Sequence, residues 1–323
     1  MQIKIKNLKQ IFSPKTPWEF KALDNVNIEI QQGEYLGIIG QTGSGKTTFI
    51  QHLNGLLLPT DGQISWIYTK EIFDPKTKKQ NIESIERSLP ILKPYKCLLG
   101  SWCKLKSHKK LKKNYKFKYA KEIRKKIGVV FQFAEYQLFK QTIMDDIIFA
   151  PLAFGVSLDV AKDRAHKYIK MVGLNEEFLK RSPFDLSGGQ KRRVALAGIL
   201  ALEPDVLIVD EPTAGLDPVG VVEILDILTE LNKKGKTIIN VTHELDHVLE
   251  RAQRVVVFKE GTIVRDGNPY DVLNDIEFLR ANELQPPKLL DFVNKLRARG
   301  IDVPRVTSNQ ELIAFLNQMQ GGK

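Results

Sequence analysis

Cysteine is scarce in this sequence: its 323 residues include only Cys97 and Cys103. The two lie in a C-x5-C arrangement, with His108 nearby, and this spacing matches none of the usual zinc sites. Two reduced thiols are typical of a cytosolic protein. The sequence therefore predicts neither a disulfide framework nor a structural zinc site.

Long apolar runs are also missing. No stretch of about 18 apolar residues is present that could cross a bilayer, and the opening residues, MQIKIKNLKQ, lack the apolar segment of a signal peptide. We therefore expect a cytoplasmic protein. The length and the 42% hydrophobic content are sufficient for one large or two small domains with sizeable cores.

Acidic residues are nearly absent from one segment. Between Lys93 and Lys126 there are fourteen lysines and arginines against one acid, Glu122, so the segment carries +13 while the formal net charge of the chain is +11. If a nucleic-acid partner were inferred from the net positive charge, that inference would depend on this segment alone. We interpret residues 69–124 as a long solvated insertion. The alternative is a patch that contacts acidic lipid headgroups or nucleic acid.

Short runs rich in valine and isoleucine predict a parallel sheet, because each is followed by loop residues and most are then followed by helical periodicity. These runs are YLGIIG, IGVVFQ, VLIVDEPT and TIINVTHE. A helical subdomain is predicted at about 135–200. ALDNVNIEI and RVVVFKEGTIVRDG predict antiparallel strands and a hairpin. A Pro-Pro break and two amphipathic helices predict a boundary between a domain at 1–280 and a helical extension at 281–323.

The stretch GQTGSGKT matches the phosphate-binding pattern G-x-x-x-x-G-K-[ST], and it lies between a predicted buried strand and a helix. Its glycines allow backbone N–H groups and the helix N-terminus to approach phosphate oxygens. We expect Lys46 to reach the β and γ oxygens of ATP and Thr47 to supply an oxygen to Mg²⁺. The predicted loop residues are Gly40, Gln41, Thr42, Gly43, Ser44, Gly45, Lys46, Thr47 and Thr48.

Polar residues end three other predicted strands at the edge where such sheets bind ligands. Asp210 is expected to hold the metal, and Glu211 to orient or deprotonate the attacking water. His243 would contact the γ-phosphate or its water. Gln132 would join Mg²⁺ or the water while linking its loop to the state of the nucleotide.

A second glycine motif, FDLSGGQKRR, has a serine before two glycines at a predicted helix start. It lacks the lysine and hydroxyl that Lys46 and Thr47 provide in the first loop. The sequence resembles the ATP-binding cassette ATPases. The resemblance rests on this motif, on DEPTAGLD, on the glutamine after VVF, on the phosphate loop and on the order in which they occur. The resemblance covers residues 1 to about 275. It implies an α/β P-loop ATPase core with an antiparallel β subdomain and an inserted helical subdomain.

The resemblance also implies a dimer that sandwiches nucleotide between two chains. In such dimers Ser187, Gly188, Gly189 and Gln190 would face the ATP of the partner, and Asp217 would cross the interface. Phe12 is the residue expected to stack on adenine, with Trp18 and Phe20 as rivals.

A finer resemblance is to the ATP-binding subunits of energy-coupling factor transporters, the CbiO-like group, and most to the second of two paralogues that pair as a heterodimer. It rests on FSPKTPWEFKALDNVN, VVFQFAEYQLFKQTIMDDIIFAPLAFGV, SPFDLSGGQKRRVALAGILALEPDVLIVDEPTAGLDP and GIDVPRVT. It implies a peripheral subunit on the cytoplasmic face of the cell membrane that hydrolyses ATP with Mg²⁺. Its partners would be a second cassette, a transmembrane coupling subunit and substrate-binding membrane subunits, for uptake of vitamins or metal ions.

The resemblance further implies that FAEYQLF forms the groove for coupling helices and that the C-terminal helices help to hold the dimer. The insertion at 69–124 has no counterpart in it. Two alternatives stay open. One is a homodimeric transport ATPase dedicated to a single substrate, and the other is a soluble cassette that acts on nucleic acid.

Overall fold

The computed structural model describes residues 1–74, 79–89 and 117–321. Within these ranges ten strands form two sheets. The strands are β1 (Gln2–Phe12), β2 (Phe20–Ile30), β3 (Tyr35–Gly40), β4 (Asp61–Asp74), β5 (Lys79–Leu89), β6 (Ile127–Val130), β7 (Val206–Asp210), β8 (Thr237–Val241), β9 (Arg254–Lys259) and β10 (Thr262–Gly267).

The helices of the same ranges pack around these sheets. They are α1 (Lys46–Leu53), α2 (Ala120–Lys126), α3 (Ile143–Ala153), α4 (Leu158–Met171), α5 (Gly188–Leu200), α6 (Pro218–Lys233), α7 (Leu245–Arg251), α8 (Pro269–Leu273), α9 (Ile276–Ala281), α10 (Lys288–Ala298) and α11 (Asn309–Gly321).

The larger sheet has the order β10-β9-β3-β8-β7-β6, in which β10 alone runs antiparallel to its neighbour. Every residue of β3, β6, β7 and β8 is buried. Helices cover both faces of this sheet, so these strands are near-continuous apolar runs. The predicted parallel sheet is thereby confirmed. The predicted hairpin is confirmed as well, since β9 and β10 are joined by a turn at Glu260 and Gly261.

The smaller sheet is antiparallel and has the order β2-β1-β4-β5. It reaches into the segment interpreted from sequence as one insertion at 69–124. Residues 69–74 belong to β4, residues 79–89 form β5, and residues 120–126 form α2. These parts of the segment are therefore elements of the fold, with Ile64 of β4 paired to Leu89 of β5. Residues 75–78 and 90–116, with Cys97, Cys103 and His108, lie outside the described residues.

The helical subdomain predicted at about 135–200 contains α3, α4 and α5, which pack on one another in a shared apolar cluster. The tail after residue 281 packs differently. Leu289, Leu290 and Val293 of α10 share one cluster of buried side chains with Val248 and Leu249 of α7. The C-terminal helices thus extend the core that contains α7, the helix that follows the loop of His243.

A buried histidine fastens α1 to the antiparallel sheet. His52 is fully buried; its Nδ1 donates to the carbonyl of Thr48 at 2.7 Å, and its Nε2 lies 3.1 Å from Oε1 of Gln10. Burial lowers the pKa of His52 from 6.5 to about 4 because the charged imidazolium is poorly solvated there.

We expect the free energy of unfolding to depend on this histidine. Its pKa is lower in the folded chain than in the unfolded chain, so its contribution is complete above pH 6.5 and is lost as the pH falls toward 4. Between pH 7.5 and pH 5 the loss should be roughly 2 kcal/mol. Denaturant titrations at both pH values would measure it. A His52→Gln variant should lack this part of the pH dependence, whereas a variant of exposed His166 should keep it.

Candidate nucleotide-binding site

The predicted phosphate loop joins the end of β3 to the start of α1. Its glycines are needed where the chain is crowded: a Cβ at Gly40 would lie 2.3 Å from the carbonyl oxygen of Phe258, and one at Gly45 would lie 2.7 Å from that of Ala22. Gly45 also has a φ of 102°, which places it in the left-handed region. The backbone therefore turns tightly enough to present N–H groups at the N-terminus of α1.

The lysine of this loop folds over it. Lys46 Nζ donates to the carbonyl oxygens of Gly40 at 2.8 Å and Gln41 at 2.7 Å, and lies 3.3 Å from Oγ of Ser44. Burial lowers the pKa of Lys46, and the nearby carboxylates of Glu211 and Asp210 act in the opposite direction. This partly desolvated ammonium is therefore aimed into the concave side of the loop, where phosphate oxygens would replace the carbonyls as its acceptors.

Carboxylates stand at the end of β7, next to the phosphate loop. Thr47 Oγ1 donates to Oδ2 of Asp210 at 3.3 Å. Burial, followed by the charge of Glu211, raises the pKa of Asp210. The adjacent carboxylate of Glu211 disfavours the charged form of Asp210, and a cation would relieve this repulsion.

Glu211 adopts an uncommon backbone conformation. Its φ is 51°, a left-handed value that costs a residue with a Cβ about 1–3 kcal/mol. Its N–H donates to the carbonyl of Val241 at 2.8 Å, and this bond fixes the turn against the end of β8. Oε1 lies 2.9 Å from Nδ1 of His243, and Thr242 Oγ1 donates to Oε2 at 3.4 Å.

The neighbouring histidine responds to this carboxylate. His243 is 65% exposed, and its pKa is raised chiefly by the hydrogen bond to Glu211. The two groups form a polar pair at the strand ends, with one side chain held by the fold and the other open to solvent. Such a pair can take a proton from water and hold it close to the site.

The sheet order brings the predicted groups to one edge. Gly40, Gln132, Asp210 and His243 lie at or just after the carboxyl ends of β3, β6, β7 and β8, which are neighbours in the sheet. Gln132 is exposed, and its backbone carbonyl accepts a hydrogen bond at 2.7 Å from Nη2 of Arg192. Within the described ranges no group of three or more His, Cys, Asp or Glu side chains is arranged to hold a metal by itself.

The residues of the second glycine motif lie elsewhere on the surface, at the start of α5. Ser187 is its N-cap: Ser187 Oγ accepts from the N–H of Gln190, and the Gln190 side chain accepts from the N–H of Ser187. This reciprocal capping box leaves Ser187 and Gly188 exposed. Asp217 is the N-cap of α6; its Oδ1 accepts from the Gly220 N–H at 2.8 Å, and the residue is also exposed.

The three candidate aromatic residues lie near one end of the antiparallel sheet. Phe12 and Phe20 are paired across β1 and β2, and Trp18 lies in the connection between these strands. They are 38%, 57% and 82% exposed, in the order Phe12, Phe20, Trp18. The assignment of Phe12 to adenine stacking stays a prediction.

Two contacts of the site are absent from the sequence-based prediction. Arg192, inside the quoted glycine motif, bonds to the loop of Gln132. Glu283, in the tail, accepts from Nε2 of Gln41 at 2.5 Å. For the Arg192 contact, the pair of arginines in SGGQKRR is a signal that the sequence offers. No local pattern marks Glu283, which is 242 residues from Gln41.

The chain is similar to known proteins along most of its length. The ABC transporter family profile matches residues 23–214. The energy-coupling factor transporter ATP-binding protein EcfA2 of Mycoplasmopsis synoviae (strain 53) is 62% identical, over 98% of this chain and 96% of that protein. The chain belongs to the ATP-binding cassette family. The protein of the same name from Enterococcus faecalis (strain ATCC 700802 / V583) is 40% identical, over 99% and 98% of the two chains.

Solved structures of cassettes share this fold. The cbiO1 protein of Clostridium perfringens, described as part of the ABC transporter complex cbiONQ, has 33% identity and a TM-score of 0.63, and covers 90% of this chain and 98% of its own. The ATP-binding cassette MJ0796, a dimer in a post-hydrolysis state bound to ADP and Pi, has 27% identity, a TM-score of 0.61 and coverage of 83% and 98%. The cassette family therefore assigns ATP binding and ATP hydrolysis to this chain, and the relatives that match it along almost its whole length are ATP-binding subunits of energy-coupling factor transporters.

An aromatic surface lies beside the site, after Gln132. Its large side chains are Phe133, Tyr136, Phe139 and Phe149, which are between 45% and 83% exposed. The rings of Phe139 and Phe149 meet edge to face, with centroids 5.0 Å apart. Residues 139–141, 145, 148, 149 and 152 line an open groove of about 440 Å³. Neighbouring exposed aromatic side chains of this kind are typical of surfaces that bind a partner.

Proposed function

We propose that this chain is the ATP-hydrolysing subunit of an energy-coupling factor importer, bound to the cytoplasmic face of the cell membrane and energising uptake of vitamins or metal ions. The observation that carries the proposal is the joint presence of the expected ATPase residues at one sheet edge and an exposed aromatic surface that begins at Phe133, one residue after Gln132. The names of the relatives support the same assignment. In the described ranges, no helix is both long and apolar enough to span a bilayer.

We further propose Mg²⁺ as the metal of the site. Thr47 Oγ1 and the carboxylate of Asp210 are hard oxygen donors placed 3.3 Å apart, which suits Mg²⁺, and Gln132 would complete the set. The ion would neutralise charge on the phosphates. Lys46 then holds the β and γ oxygens, and Glu211 orients water for in-line attack on the γ-phosphate, with His243 close enough to hold the proton.

The proposed assembly contains two cassettes, a transmembrane coupling subunit and substrate-binding membrane subunits. The second cassette would be a paralogue of this chain, and the alternative is a homodimer. The subunit stoichiometry of the purified complex would distinguish the two. The tail at 281–323 is assigned here to contacts between the cassettes. Nucleic acid is a disfavoured partner, because the named relatives are transport proteins.

The groove can be tested with one substitution and a matched control. We expect Phe139→Asp to reduce recovery of the transmembrane subunit with the tagged chain by at least about tenfold, because the interface would bury an unpaired charge. Val264→Asp places the same charge on β10, at the opposite edge of the sheet, and should leave recovery unchanged. Purification from membranes, with identification of every bound chain, measures both.

Several outcomes would contradict the proposal. Equal recovery with Phe139→Asp and wild type would remove the groove as the docking surface. Recovery of RNA or DNA in place of integral membrane proteins would support the soluble alternative.

A further inference from the structure

One buried arginine that has no role in the assignments above bonds to two loops of the site at once. Arg192 is the fifth residue of α5, and only 9% of its side chain is exposed. Its Nη1 donates to the carbonyl of Ala214, and its Nη2 donates to the carbonyl of Gln132 at 2.7 Å. Nη2 also lies 3.5 Å from Oε2 of Glu135. A planar guanidinium can bridge such acceptors because its donors form a fixed fork.

Both loops carry groups that the reaction uses. One carbonyl belongs to Gln132 itself. The other belongs to Ala214, which lies midway between Glu211 and Asp217 and whose N–H donates back to the carbonyl of Glu211 at 3.3 Å. The helix that bears Arg192 begins at the capped Ser187, about 7–8 Å away along the helix axis.

A buried guanidinium requires its hydrogen bonds, because an unpaired charge in that position is costly. Neither carbonyl belongs to a strand of the sheet ladder, and Arg192 ties the two loops together by bonding to both of them. If one loop shifts, either the other loop and the end of α5 shift with it, or a charged hydrogen bond breaks.

The next arginine on the same helix provides a natural contrast. Arg193 donates to the carbonyl of Val172 at 3.1 Å and pairs with Glu223 of α6. Arg193 therefore connects α5 to α4 and to α6. Its guanidinium makes no hydrogen bond to the loops of Gln132 or Ala214 within the described residues. The two side chains are adjacent and equally charged, but only Arg192 contacts the site loops.

We propose that Arg192 is a positioning residue that makes the Gln132 loop, the loop from Glu211 to Asp217, and the Ser187 end of α5 move as one body. This inference deepens the proposed function, on which it rests. A partner helix seated on Phe133 and the groove behind it would move Gln132 in this chain's own site. Through Arg192, the same displacement reaches the exposed serine that is predicted to face the partner's nucleotide.

The test compares Arg192→Met, Arg192→Lys and the control Arg193→Met in the assembled complex. For Arg192→Met we expect kcat for ATP hydrolysis to fall about 10- to 100-fold, since charge-assisted hydrogen bonds are lost. Binding of ATP to the phosphate loop should change by less than about threefold. Amide hydrogen exchange should rise together at residues 133–137 and 213–217.

Arg192→Lys separates the fork from the charge. The melting temperature of Arg192→Lys should be close to that of the wild type, but its kcat should stay low. One ammonium cannot reach both carbonyls in the geometry of the guanidinium. Arg193→Met should alter exchange at α4 and α6 and leave kcat near the wild-type value. The proposal is overturned if lysine restores kcat, if Arg193→Met lowers kcat equally, or if exchange rises in only one loop or in neither.

The readouts keep this inference apart from the importer assignment. Hydrolysis and exchange are measured on the purified complex, whereas import requires uptake into vesicles. If the wild-type complex hydrolyses ATP but takes up no substrate, the importer assignment is contradicted. The kcat and hydrogen-exchange measurements on the Arg192 variants can still be made. If the wild-type complex shows normal uptake and the Arg192→Met variant keeps the wild-type kcat, only the proposal about Arg192 is contradicted.

Discussion

Replacing Glu211 with glutamine is expected to reduce kcat for ATP hydrolysis by about two to three orders of magnitude, because the site would lose the group that we propose orients and deprotonates water. Binding of ATP should be retained. Glutamine preserves the shape of the side chain and a polar contact to Thr242, so the left-handed turn at residue 211, with its φ of 51°, can persist. Phosphate release by the assembled complex measures kcat, and binding of a fluorescent ATP analogue measures affinity.

The matched control is Glu244→Gln. Its carboxylate lies 3.4 Å from Nε2 of His243, on the other side of the ring from Glu211, and it is exposed. We expect this variant to keep hydrolysis within about threefold of wild type. Unchanged turnover in Glu211→Gln, with normal assembly, would contradict the catalytic assignment.

The histidine supplies an independent check on the same contact. The pKa of His243 is raised chiefly by the hydrogen bond to Glu211, so neutralising Glu211 should lower it toward the ordinary value for histidine. Glu244→Gln should have a smaller effect, since that carboxylate is more distant. A histidine titration followed by NMR distinguishes the two variants even where turnover is too slow to measure.

The site was largely predictable because its residues follow strands whose type is visible in the sequence. A buried parallel strand needs a continuous apolar run, and ligand groups lie at its carboxyl end. Lys46, Asp210 and His243 could therefore be placed at one edge from three local patterns. The left-handed turn at Glu211 has no such pattern, because nothing in VLIVDEPT shows which residue bends the chain.

The parts that the sequence did not predict depend on distant contacts. Residues 79–89 have no sustained period of their own, yet they form β5, since β4 offers an edge with which they pair in register. Glu283 meets Gln41 only because α8 and α9 bring the tail back over the phosphate loop. Arg192 likewise acquires its partners from two loops that are neighbours only after the sheet has formed.

The exposed serine of the second glycine motif leads to the prediction about assembly. We expect Ser187→Arg to reduce hydrolysis at the partner's nucleotide by about two orders of magnitude, since an arginine side chain would fill the space where the serine and its glycines are predicted to approach phosphate. ATP binding to this chain's own loop, residues 40–48, should be nearly unchanged. Hydrolysis by the assembled complex, and labelling of this chain by a photoreactive ATP analogue, would measure the two effects separately.

Loss of the helix cap must be separated from loss of the contact. Ser187 Oγ accepts from Gln190 N–H at 3.3 Å, so removing it costs about 1 kcal/mol of stability. Ser187→Ala removes the cap without adding bulk, and Ser157→Arg places the same large cation at the exposed N-cap of α4. If Ser157→Arg lowers hydrolysis as much as Ser187→Arg, the effect is one of charge. If Ser187→Ala lowers both hydrolysis and the free energy of unfolding as much as Ser187→Arg, the effect is one of the lost cap. If only Ser187→Arg does so, and own-loop binding persists, each chain holds two half-sites that become complete only in the dimer.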